Sequence, residues 1–150
     1  MTRAAIAVLL SVVFHPVGLL GQHAPPPSVV IAHATPKTVA SAMGEILKPQ
    51  KFKVTKAGSG RIVVSQKRGD VAQATGEILK VRLEMGFALE PVGDSLRVTA
   101  TDETYYADRG TFGEQKRSVE VEKERESFEN LLRMVKARVD SMTADTTGAS

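Results

Sequence analysis

The side chains that carry most enzyme chemistry are scarce in this chain. It has no cysteine, and its three histidines are His15, His23 and His33. Without cysteine there is no thiolate nucleophile, no thiolate metal ligand and no disulfide. The histidines do not stand at a spacing that would build a zinc site. His15 falls in the apolar leader and His23 in a proline-rich stretch. His33 shares the parity of Val29 and Ile31, as a packing or edge residue of a strand would. Gly58-Ser59-Gly60 lacks the lysine and downstream residues of a phosphate-binding loop and reads as a hairpin turn. Asp102 and Glu103 are the carboxylates closest to an acid–base pair, but neighbours on a strand point to opposite faces. Tyr105, Tyr106 and Asp108 are candidates for the rim of a binding site. These residues define no catalytic constellation, no metal site and no cofactor site, so a non-enzymatic role is expected.

The elements that would position these side chains follow from periodicity. Thr2 and Arg3 precede an apolar run from Ala4 to Phe14, followed by Pro16, Gly18 and Gly21. A basic start, a short apolar run and a small-residue exit make a secretory signal over residues 1–21. A run of eleven residues, ten of them apolar, falls short of the roughly 20 that a spanning helix needs. Export to the periplasm or the exterior is therefore expected, with an uncleaved N-terminal anchor as the alternative. Residues 22–28, with Pro25-Pro26-Pro27, form an extended linker. Residues 29–142 make one domain, large enough to bury a core without cross-links. Residues 143–150 are small and polar and read as a disordered tail.

Within the domain, Val29 to Ala34 reads as a first strand. Thr35-Pro36 then opens a helix, whose apolar face carries Val39, Met43, Ile46 and Leu47. Phe52 and Val54 alternate with lysines, and Ile62 to Ser65 returns after the glycine turn. Arg68-Gly69-Asp70 is a second turn, and residues 71–76 a loop or ragged strand entry. Val81, Leu83, Met85, Phe87 and Leu89 face one way on a long strand. Pro91 to Asp94 turns the chain into an answering strand through Leu96, Val98 and Ala100. Ala107 to Arg117 reads as a loop. Ser118 would cap a final helix whose stripe is Val121, Phe128, Leu131, Leu132, Val135, Val139 and Met142. The result is an α+β fold, β-α-β-β-β-β-α, with an antiparallel sheet and both helices packed on one face.

Charge is divided along the chain. Lys37 to Gly69 holds eight Lys or Arg against the single Glu45, while Asp70 to Ser150 holds eleven basic residues against sixteen acidic ones. The basic group includes Lys51, Lys53, Lys56, Arg61, Lys67 and Arg68 around the first hairpin. These residues either guard an edge strand from foreign pairing or attract an envelope protein or an anionic surface. Phe52 is the only aromatic among them, and a nucleic-acid stacking platform is therefore not expected.

The order of elements over Val29 to Met142 resembles TATA-binding-protein-like, helix-grip domains, such as those of the envelope lipoprotein BamC. The lipid-bearing cysteine of such lipoproteins is missing here. The resemblance implies a fold and no catalytic residues. Two functions are consistent with these observations. One is an envelope binding or structural module that meets a partner through the basic hairpin or a sheet edge. The other is a carrier or sensor of a small apolar ligand, held between the sheet and the last helix by Met85, Phe87, Phe128, Leu132 and Met142. After signal removal no transmembrane span is expected.

Overall fold

The computed structural model describes residues 24–72, 78–110 and 113–148; the expected signal, residues 1–21, lies outside the described residues. Strand β1 (Ser28–Ala32) leads into helix α1 (Pro36–Leu47). Thr35 caps α1 as its composition predicts. Its hydroxyl accepts from the Thr38 N–H at 3.2 Å, and the Thr38 hydroxyl accepts from the Thr35 N–H at 3.0 Å. A 3-10 turn at Lys48–Gln50 ends the helix, with Lys51 in the left-handed region at φ 62°. Four strands follow: β2 (Lys53–Ala57), β3 (Arg61–Ala72), β4 (Ile78–Val92) and β5 (Ser95–Asp108). A sixth, β6 (Glu114–Val119), precedes a 3-10 turn at Val121–Glu124 and helix α2 (Arg125–Thr147).

The sheet runs β1-β5-β4-β3-β2 and every pairing is antiparallel. Strand β1 pairs with the Ser95–Thr99 half of β5, and β6 with its Glu103–Asp108 half. With β4 on the opposite side, β1 and β6 lie end to end along one edge of β5. Both helices cover one face. Val39, Ala42 and Met43 from α1 and Phe128, Leu132, Val135 and Val139 from α2 bury against Ile31, Ile62, Val64, Phe87, Val98 and Ala100. Arg138 reaches from α2 to Glu45 on α1 at 2.7 Å. Among the described residues no helix covers the other face of the sheet.

Four expectations are corrected. The segment at Arg68-Gly69-Asp70 is no turn, because β3 continues through it with a bulge. Lys67 pairs with Arg82 and Gly69 with Val81, so Arg68 is the extra residue and Gly69 takes a φ of 89°. Ala107 to Arg117 is no single loop, since Ala107 and Asp108 belong to β5 and residues 114–117 to β6. Ser118 therefore sits in a strand and caps nothing; α2 starts seven residues later. At its far end α2 runs past Met142 to Thr147. The hydroxyls of Thr143, Thr146 and Thr147 bond the carbonyls four residues back, which lets polar residues continue the helix. At the described end of the linker the Pro27 carbonyl accepts from the Ala100 N–H and the Pro25 carbonyl from Arg125.

Candidate functional site

One sheet irregularity builds the most distinctive site. On β5 the alternation of Leu96, Val98 and Ala100 extrapolates to Asp102, Thr104 and Tyr106 on the helix side. A bulge reverses that. Gly86 pairs with Asp102 and Phe87 with Ala100, leaving Thr101 as the extra residue. Beyond it Glu103 and Tyr105 face the helices, while Asp102 and Tyr106 face the bare side. Asp102 and Glu103 thus point to opposite faces, as neighbours on a strand must.

Glu103 is 8% exposed and lies on the wall of a half-open cleft of about 360 Å³. The cleft crosses the sheet from Arg68 on β3 over Leu83 and Met85 on β4 to Glu103 on β5. Its roof is the first half of α2, with Phe128, Leu131 and Met134, and its end wall is the close of α1 with Ile46, Leu47 and Phe52. Gln50, Glu124, Ser127 and Asn130 supply polar atoms at the margin. Met134 is 54% exposed at this rim, beside Ser127 and Asn130. A concave apolar lining with a few polar groups and a volume of a few hundred Å³ is the usual form of a small-molecule site.

The electrostatics centre on Glu103. Burial raises its carboxyl pKa above the usual 4.5; the Tyr105 hydroxyl hydrogen bond opposes this, Glu124 adds to it, and Arg68 opposes it more weakly. Tyr105 is raised in turn, by burial first and then by the Glu103 charge. The cleft therefore holds a buried carboxyl that its surroundings only partly stabilise as an anion.

The residues expected to line a cavity separate into three groups. Met85 and Phe128 do line the cleft. Phe87 and Leu132 do not; they are 0% and 2% exposed, and Phe87 meets Phe128 edge to face at 6.0 Å and 70°. Phe87 and Leu132 fill the space under the centre of α2. Met142 packs at the margin of the core farther along α2. Glu103 was not legible as a lining residue, because the bulge that turns it inward depends on β4. The one local signal was the break in alternation at Thr101-Asp102.

The basic residues are also distributed. Lys53 and Lys56 lie exposed on the edge strand β2, and Lys51 on the turn before it. Lys67 lies on the bare sheet face, opposite Arg82. Arg68 belongs to the cleft. Arg61 is engaged internally, bonding Asp102 at 2.7 Å across Gly86. A Cβ at Gly86 would fall 2.3 Å from Asp102 Oδ1 and 2.6 Å from Arg61 Nη2, so only glycine lets the pair cross here.

On the bare face, Lys67, Arg82, Tyr106 and Lys116 are in register across four strands. The Arg82 guanidinium stands 4.6 Å from the Tyr106 ring and bonds Glu84 at 3.0 Å, with Glu114 at 3.5 Å. Acids answer Arg82 there, and Lys116 stands 6.0 Å from the same Tyr106 ring. His33 sits outside both areas, in the left-handed region after β1, 3.4 Å from Asp94.

Among the described residues no three His, Cys, Asp or Glu side chains are grouped to hold a metal ion. No described helix is long and apolar enough to cross a membrane. Neither a protein-family model nor a curated protein matches the chain.

Proposed function

We propose that this chain is an exported, non-enzymatic binding module of the cell envelope that holds a small amphiphilic molecule in the cleft beneath the start of α2. The observation that carries this reading is the cleft itself, apolar on its floor and roof and bordered by the buried Glu103 carboxyl. Desolvating a carboxyl is costly, and a domain gains nothing in stability by placing one against an open apolar hollow. A polar group of a ligand would compensate it. Export rests on the leader pattern at residues 1–21.

The test is native mass spectrometry of the mature protein purified from its own envelope fraction. A discrete small-molecule adduct, lost when Met85→Trp fills the cleft, is the expected result. A bare chain, together with unchanged behaviour of Met85→Trp towards short alkyl probes, would remove the cleft from the account.

A second reading has its own observation. Lys51, Lys53, Lys56 and Lys67 are exposed and, among the described residues, make no ion pair within 4 Å. Such a surface fits an acidic envelope protein or an anionic surface. Reversing Lys53 and Lys56 to glutamate should then abolish capture of the native partner, and unchanged capture would exclude this surface.

A further inference from the structure

Resting on the cleft reading above, we infer that the ligand's head group is a cationic amine, seated between Glu103 and Glu124, with its apolar chain along Leu83, Met85, Phe128 and Leu131. Three observations converge on this. The cleft margin carries two carboxylates against one guanidinium, so an added positive charge balances it and an added negative charge does not. Glu103 stands on β5, Glu124 in the 3-10 turn before α2 and Arg68 at the β3 bulge, and the charge of Glu124 acts on Glu103 more strongly than that of Arg68. Their solvation also differs. Arg68 is exposed and keeps its water, but Glu103 is 8% exposed and has lost most of it.

An ammonium entering the cleft therefore meets a partner whose desolvation has already occurred on folding, and a charge-assisted hydrogen bond to such a partner is among the stronger contacts available. An entering carboxylate would find Arg68, which is solvated, as the one cation in the lining, against two like charges. An uncharged hydroxyl head would donate one hydrogen bond to Glu103 and leave its charge unbalanced.

The experiment compares three probes of equal chain length, octylamine, octanol and octanoate, by calorimetric titration of the full mature chain at pH 7. The expected result is octylamine binding about tenfold or more tightly than octanol, with octanoate weakest. In Glu103→Gln the amine-to-alcohol ratio should fall to near unity, and in the surface variant Glu124→Gln it should fall partway. Glu124 is exposed, so that variant remains informative even where a buried substitution disturbs folding. Equal binding of all three probes would overturn the amine assignment while leaving the cleft as a binding site. Tightest binding of octanoate, lost in Arg68→Gln, would overturn it in favour of an anionic head. Binding of none at millimolar concentration would overturn both the assignment and the cleft reading beneath it.

Discussion

Replacing Phe87 by alanine separates a filled core from an open one at the point where the two differ most. Phe87 is fully buried between the sheet and α2, in edge-to-face contact with Phe128. An aromatic side chain buries upwards of about 150 Å², which at about 25 cal/mol per Å² corresponds to about 4 kcal/mol. That agrees with the range of about 3–5 kcal/mol seen when buried aromatic residues are cut to alanine. Domains of this kind have total stabilities of about 5–15 kcal/mol, and the substitution would remove a large share. Met134→Ala provides the contrast. Its side chain is 54% exposed at the cleft rim, and its loss should cost less than about 1 kcal/mol. Urea unfolding followed by circular dichroism gives both values from the midpoint and slope. Should Phe87→Ala leave no cooperative transition, Ile62→Val gives a gentler reading of the same core, at about 0.5–1.5 kcal/mol. A cost under about 1.5 kcal/mol for Phe87→Ala, with the slope unchanged, would mean that the ring borders open space in solution. The account of a packed centre and a cleft confined to one end would then be wrong.

Glu103→Gln should change how stability depends on pH. Because burial raises the folded-state pKa above the usual 4.5, the folded chain holds this proton more tightly than the unfolded chain. That contribution is complete below the unfolded value and is lost as pH rises through the folded one. Wild type should therefore lose stability relative to Glu103→Gln between pH 4 and pH 7, read as the difference in Tm; the opposite trend would refute the burial argument. Gly86→Ala should displace the Arg61–Asp102 pair yet leave stability within about 0.5 kcal/mol, since an exposed ion pair is worth about 0–1 kcal/mol and alanine is favoured over glycine in a strand by a similar amount. Arg61→Ala, costing a few tenths of a kcal/mol in wild type, should then cost nothing further in the Gly86→Ala background. Full additivity in that double-mutant cycle would show that the pair does not cross Gly86 in solution. Thr35→Ala should destabilise by about 1 kcal/mol in the same urea assay through loss of the α1 cap, and a neutral result would argue against the reciprocal Thr35–Thr38 bonding.

What the sequence by itself determined is everything whose cause is local. Thr35-Pro36 starts α1 because a hydroxyl cap and a proline at the first helical position act within one turn. The alternation from Val81 to Leu89, closed by Gly93-Asp94, specifies the β4–β5 hairpin, and the stripe from Phe128 to Val139 specifies α2. The α+β architecture follows, since one apolar sheet face needs two apolar helix faces to cover it.

Tertiary structure decided the rest. Strand β6 reads Glu-Gln-Lys-Arg-Ser-Val and is exposed through Ser118, so it has no apolar period to betray it; its backbone bonds to β5 make it a strand. The bulges at Arg68 and Thr101 are mismatches between two strands, invisible in either one alone. The Thr101 bulge turns Glu103 into the cleft and Asp102 out to Arg61, and the Arg68 bulge adds a guanidinium to the cleft lining. Side-chain direction in a sheet has a period of two, and one unpaired residue therefore reverses every face beyond it. The composition of the chain shows how few reactive groups it carries, but pairing between distant strands determines which of them meet.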